Sequence, residues 1–273
     1  MLDNVSTDRI CFLLHRIHSV PYTQVNKRQF QCDCFEVPLT TYRPDNFPKK
    51  HFEIDDPGVQ LHKGTLDVNL LKALMRQGSF KTAHPGTIEF QGETDAFADG
   101  LVCVKQVYEL KEDGTTIVRL KGRVELEKLS MECNCLIWAS ILLDLTYQFI
   151  DREVMRRGQP PLPIPVLRFT RSMIAIVRES SMEKVFLVEE WLNLDGLSGD
   201  KFVKYLGNCF PESCVRPTDS PKAHEVAKFL IFAQHVQWEK TGGLVFTSDY
   251  QGAGGVLTDP QITSKPYVLP IFR

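Results

Sequence analysis

The chain has 273 residues, 43% hydrophobic and 24% charged, with a formal net charge of -2. That length builds one large domain or two lobes around a cleft, and the near-neutral balance gives no bulk attraction to nucleic acid or anionic membrane. Asp3, Asp8, Arg9, His15, Arg16 and His18 interrupt the first twenty residues, which argues against a secretory signal, and no apolar run of sequence reaches spanning length. The eight cysteines then read as reduced thiols of a cytoplasmic or nuclear protein.

In chain order, Pro21, Pro38, Pro44 and Pro48 predict strands and extended connections over the first fifty residues. Apolar spacing at Val68, Leu71, Leu74 and Met75 predicts a helix over 67–76, stopped at Gly78. Strands are expected at 87–90 and 101–110, the second turning at Glu112-Asp113-Gly114 into 115–120. Ser130 is a candidate cap for a long buried helix running to Arg157 and ended by Gly158 and Pro160. A second strand pair, 166–177 and 185–190, precedes a polar stretch at 193–200 that has the composition of a hinge. Ser220-Pro221 starts another helix, and Gly242-Gly243 turns into a strand at 244–247.

Two Cys-x-Cys pairs, Cys32/Cys34 and Cys133/Cys135, lack the wider spacing of a zinc knuckle and read as buried thiols; Cys209 and Cys214 have no matching second pair. The arrangement as a whole is α+β, with a cleft expected near the polar stretch.

The chemistry concentrates at 248–262, Ser-Asp-Tyr-Gln-Gly-Ala-Gly-Gly-Val-Leu-Thr-Asp-Pro-Gln-Ile. Asp249, Gln251 and Asp259 supply hard oxygen donors of the kind Mg²⁺ takes alongside substrate phosphates. Gly252, Gly254 and Gly255 let the backbone double back between the aspartates. A solvated Asp/Gly surface turn is the plainer alternative. At Lys105, strand alternation places the ammonium on the face of Leu101, Cys103 and Val107, where it needs an anionic partner. Either a phosphate or a structural carboxylate (Glu89, Glu125 or Glu132) would serve.

Asp-Tyr-Gln-Gly followed by Leu-Thr-Asp-Pro-Gln-Ile resembles the signature of the alpha-type (atypical) protein kinases. Further likenesses follow in order. Leu101-Val-Cys-Val-Lys105 resembles the family's ATP-lysine strand, and Val188-Glu189 the segment joining the lobes near adenine. Gln77-Gly-Ser-Phe-Lys-Thr-Ala83 resembles the phosphate-side segment, with Lys81 where arginine is usual. Lys204, Tyr205 and Asn208 match a Phe-x-Lys-Tyr-Asn-x-Asn stretch in which Leu206 replaces the first Asn. Lysine at 81 keeps the charge without the bidentate fork.

The resemblance implies a two-lobed, protein-kinase-like fold: a strand-rich N-lobe with one long helix (1–188), and a hinge with a short, truncated C-lobe (189–273). It also implies an ATP- and Mg²⁺-dependent serine/threonine kinase acting on a protein substrate, with no nucleic-acid or membrane partner. In that reading Asp249 and Asp259 are catalytic, Gln251 and Asp259 hold metal, and Lys105, Glu189 and Lys81 bind ATP. A pseudokinase or interaction module is the alternative. His235 matches the family's first zinc histidine, but the sequence has no Cys or His after it. Structural zinc, which wants four ligands, is therefore not expected, and His235 is expected to be a packed or hydrogen-bonded helix residue.

Overall fold

The computed structural model describes residues 28–36, 54, 58–70, 80–92, 94, 96–97, 99–113, 116–160, 162–179, 182–192, 201–209 and 212–264. The expected hinge at 193–200 lies outside them, as do 71–79.

Six strands build the larger sheet: β1 (Arg28–Glu36), β2 (Gln60–Val68), β3 (Lys81–Phe90), β4 (Leu101–Leu110), β7 (Ser172–Glu179) and β8 (Met182–Glu190). Their order is β3-β2-β1-β7-β8-β4, all antiparallel, and β4 pairs back onto β3. The first half of β3 pairs with β4 and its second half with β2, the two registers overlapping at Gly86 and Thr87. The sheet curls until its ends meet. Gly86 sits at that crossover, where an added Cβ would lie 2.8 Å from Val104 Cγ2 and 2.9 Å from the Asp67 carbonyl oxygen. A short β5 (Ile117–Arg119) hairpins onto β4 as expected.

Period-two alternation sorts side chains between the two faces. Phe30, Cys32, Leu66, Ile88, Val102, Val104, Ala175, Phe186 and Val188 fill the inside of the curl. Val107, Ile174, Ile176, Val185 and Leu187 face outward and are covered by Leu129, Cys133 and Ile137 of α1 (Gly122–Arg157).

α1 begins eight residues before Ser130, which lies inside it and whose carbonyl accepts from Asn134 Nδ2 at 2.9 Å. The earlier turns extend the stripe of Leu129, Cys133 and Ile137, so tertiary packing sets the start without a side-chain cap on Lys121. Gly158, at φ 85°, ends the helix as expected. α1 is, among the described residues, the one helix long and apolar enough to cross a membrane. Its apolar face is already taken up by protein.

Beyond the contact with the sheet, Leu136, Ala139, Leu142 and Leu143 of α1 join a second core with Ala227 and Leu230 of α2 (Pro221–Lys240). Ser220 caps α2, its Oγ accepting from Ala223 N at 3.3 Å. Against this core lie β6 (Arg168–Phe169), β12 (Val256–Thr258), β11 (Gln251–Ala253) and β9 (Val203–Lys204), in that sheet order. A separate pair joins β10 (Val245–Ser248) to β13 (Gln261–Ser264).

The helix expected over 67–76 fails at its start, because Asp67 and Val68 close β2 with Leu66 and Val68 buried in alternation; 71–76 lie outside the described residues. The strand expected at 87–90 is the end of a longer one, since Lys81–Gly86 pair with β4. The 166–177 strand is split between β6 and β7, which belong to different sheets. His235 is exposed on α2, neither packed nor buried.

Candidate active site

Lys81, Lys105 and Glu189 share the outer face of the curled sheet. The β3–β4 register sets Ala83 opposite Lys105, and the β4–β8 register sets Cys103 opposite Glu189. Lys105, on the face the alternation predicted, is 5% exposed. Its partners are none of the three carboxylates weighed from sequence. Lys105 Nζ donates to Glu189 Oε1 at 2.6 Å and to Asp259 Oδ1 at 2.7 Å.

Glu89 is exposed, Glu125 accepts instead from Val185 N at 3.0 Å, and Glu132 on α1 pairs with Lys81. Lys81 Nζ also reaches Asp259 Oδ1 at 3.1 Å. Asp259 thus lies between two lysines from neighbouring strands.

Glu189, 2% exposed, also accepts from Thr258 Oγ1 at 2.7 Å and Thr170 Oγ1 at 3.4 Å. A buried carboxylate needs that many donors to offset its lost hydration. Its side chain is committed to Lys105.

Burial pushes the Asp259 carboxyl up, but the Lys105 and Lys81 ammoniums outweigh it and hold the group well below the usual carboxylate range. Burial would lower Lys105, and Asp259 and Glu189 reverse that and raise it. Lys81 follows the same pattern, with Asp259 and Glu132 outweighing desolvation. All three groups are charged at neutral pH.

Asp249 and Asp259 are the only described non-glycine residues with positive φ, at 61° and 48°. Aspartate tolerates that region better than most residues, and such conformations cluster at functional sites. The two flank the β11–β12 hairpin, whose register sets Gln251 opposite Thr258. Gln251 is therefore on the hairpin face that carries Thr258 toward Glu189. Gly252 lets the hairpin close, since a Cβ there would lie 2.0 Å from the Val256 carbonyl oxygen.

Asp249 is engaged by Lys204 of β9 and has no ion pair with the five charges of the lysine cluster among the described residues. Asn208 Nδ2 donates to Gln261 Oε1 at 3.1 Å, away from the charges. Tyr205 is buried, and its backbone N–H donates to the Tyr250 carbonyl at 2.9 Å.

Sequence reasoning did not find the support beneath the loop. Tyr250 is fully buried between the two aspartates, its hydroxyl 3.2 Å from Gln237 Nε2. Gln237 Oε1 accepts from Thr247 N at 2.9 Å, and Gln234 Nε2 donates to the Thr247 carbonyl at 3.0 Å. The available signal was a pair of glutamines three apart on a face of α2 otherwise apolar.

The donor set suits a hard cation in kind: two carboxylates and an amide at one loop, leaving room for phosphate oxygens. Among the described residues no three His, Cys, Asp or Glu side chains converge to hold a metal without such help. The thiols of Cys133 and Cys135 are pushed up to about 12 by burial, so neither is a thiolate at neutral pH. Cys32 and Cys34 are buried with their sulfurs 3.5 Å apart, and Cys209 and Cys214 are exposed.

The alpha-kinase family profile matches residues 76–268, and the chain belongs to that family. Among solved structures, an alpha-kinase from Entamoeba histolytica is 14% identical with a TM-score of 0.55, covering 89% of this chain and 81% of that one. A catalytic-domain mutant of myosin heavy chain kinase A is 13% identical with a TM-score of 0.53, covering 90% and 85%. The alpha-kinase domain of myosin-II heavy chain kinase A in complex with AMP-PNP is 14% identical with a TM-score of 0.51, covering 87% and 83%. At these identities the likeness establishes the fold. No curated protein sequence matches.

Proposed function

We propose that the protein is an ATP- and Mg²⁺-dependent serine/threonine kinase, moving the γ-phosphoryl of ATP to a hydroxyl of a protein substrate. The observation that carries this reading is the convergence of Lys81, Lys105, Glu189 and Asp259 from four separate segments. Phosphoryl transfer asks for positioning and charge stabilisation more than covalent chemistry, and this cluster supplies both.

Lys105 and Lys81 would bind the phosphates. Glu189 would position Lys105 and lie near the adenine, a reading supported by its contact with Lys105 at the end of β8. Gln251 and Asp259 would hold Mg²⁺, which when bound neutralises charge on the phosphates. Asp249 would act at the transfer centre, oriented by Lys204. The N-lobe and C-lobe are assigned to 1–188 and 189–273, and the compartment to the cytoplasm or nucleus.

The test is transfer from radiolabelled ATP with Mg²⁺ to a generic basic protein, followed by phosphoamino-acid analysis, for wild type and Asp259→Ala. Label on serine or threonine that Asp259→Ala abolishes is the expected result. Background signal from both would sink the enzyme reading.

A nucleotide-binding module without transfer is the second reading. It is favoured by one observation: Asp249 and Asp259 are both already neutralised by lysines of the protein itself. Binding of a fluorescent ATP analogue without any transfer would support it.

A further inference from the structure

We propose that Asp259 is a built-in competitor for the nucleotide's phosphates, and that it makes the cleft select metal-complexed over metal-free nucleotide. This rests on the kinase reading above and deepens it. The carboxylate sits 2.7 Å from Lys105 Nζ and 3.1 Å from Lys81 Nζ, where an anionic phosphate oxygen would have to sit to use the same donors. Two of the three Lys105 N–H donors are already taken, one of them by Asp259. The other acceptor is Glu189 at 2.6 Å, while Lys81 is also held by Glu132.

The local charge points the same way. Lys81 and Lys105 bring two positive charges, and Glu132, Glu189 and Asp259 bring three negative ones. A bare polyphosphate therefore approaches a cluster with one excess negative charge, in a site where charges are poorly screened. It can pair with the lysines only after Asp259 has swung away. Asp259 is the member free to do so: its side chain is 34% exposed, against 2% for Glu189. A divalent cation arriving with the nucleotide offers the displaced carboxylate a new partner, which metal-free nucleotide cannot do.

A nucleotide that binds only molecules with Asp259 displaced has its apparent affinity reduced by the fraction of such molecules. Removing the competitor removes that reduction.

The test is isothermal titration of ADP and of adenosine, with EDTA present and no divalent metal, on wild type, Asp259→Asn and Glu190→Gln. Thermal melts confirm that each variant is folded. The expected result is a gain of about tenfold or more in metal-free ADP affinity for Asp259→Asn, with adenosine unchanged. Glu190→Gln, which removes a carboxylate held by Arg168 outside the lysine cluster, should change ADP binding by no more than about threefold.

No gain in Asp259→Asn, or an equal gain in Glu190→Gln, overturns the proposal while leaving the kinase reading intact. Failure of every protein to bind ADP even with Mg²⁺ overturns the kinase reading itself. If Asp259→Asn does not fold, wild type still decides. Near-equal metal-free affinity for ADP and adenosine supports the competitor, and a preference for ADP of about a hundredfold, two factors of ten in the binding constant, overturns it.

Discussion

Lys105 Nζ lies 2.7 Å from Asp259 Oδ1, so a strand of the curled sheet is tied to the loop after β12 through a single ammonium group. The same ammonium neutralises Glu189, which is almost wholly buried. Removing it leaves Glu189 with two hydroxyl donors and no counter-charge. Lys105→Met is therefore expected to cost about 3–5 kcal/mol, the usual penalty for stranding one partner of a buried pair. The double variant Lys105→Met with Glu189→Gln should recover a large part of that loss, because no unpaired charge then remains. Urea unfolding of the three proteins measures both numbers. A double variant as unstable as the single would show that the pair is not the source.

Glu125 gives the fold a pH dependence unrelated to the cleft. It is 3% exposed in the first turn of α1, and burial pushes its carboxyl up to about 7, against the Val185 N–H and nearby Arg119 and Lys184 that act to lower it. A carboxyl whose folded value is raised binds its proton more tightly in the folded state. Its contribution is complete below the unfolded value of about 4.5 and is lost as pH rises through about 7. Stability should thus fall between those values in wild type. In Glu125→Gln, which keeps an acceptor for Val185 N–H and cannot ionise, that part of the slope should vanish. Denaturant midpoints taken at intervals from pH 5 to 8 compare the two, and parallel curves would refute the assignment.

The sequence carried those parts of the fold that depend on local pattern. β4, the β4–β5 turn, the Gly158 stop and the Ser220 cap are where alternation, turn residues and capping chemistry place them. Asp249, Gln251 and Asp259 stood out because oxygen donors and glycines are compressed into one loop. Pairings across long sequence separations were not legible. Lys105 and Asp259 are 154 positions apart, and nothing local distinguishes Glu189 from Glu89, Glu125 or Glu132 as a partner. The misread start of the helix expected over 67–76 has the same origin, since Val68 and Leu71 fit a helical period while cross-strand pairing with β1 and β3 decides Asp67 and Val68. The start of α1 was hidden for a different reason: packing against the sheet, with no cap residue, extends it back to Gly122.

Tyr250 should be a sensitive residue of the loop although it bears no charge. Its ring packs 6.1 Å from Phe169, and its hydroxyl meets Gln237 between α1 and α2. Burial raises the phenol above its ordinary range, so it stays a neutral hydrogen-bonding group. Tyr250→Phe leaves the ring and strips a partner from a buried glutamine, a change worth about 1–3 kcal/mol. Because the residue lies between Asp249 and Gln251, the loss is expected to appear in phosphoryl transfer as well as in the melting temperature. Unchanged transfer in a clearly destabilised Tyr250→Phe would mean that this support holds the core and leaves the aspartates unaffected.

Gly252 tests whether the hairpin itself brings the two aspartates together. A Cβ at this position would lie 2.0 Å from the Val256 carbonyl oxygen and 2.8 Å from Leu257 Cα. Both atoms are backbone, so no side-chain rotation can relieve the clash, and β11 must separate from β12. Asp249 stays attached to β10 and Lys204, while Asp259 stays attached to Lys81 and Lys105. The damage should therefore be to the register between the aspartates more than to either anchor. Gly252→Ala is expected to cost about 1–3 kcal/mol, as overpacked sites do, yet to lose far more activity than a stability change of that size explains. ADP binding in the presence of Mg²⁺, measured beside transfer, separates the effects: binding retained with transfer abolished is the expected pair, and transfer at the wild-type rate would show that the hairpin does not set the catalytic geometry.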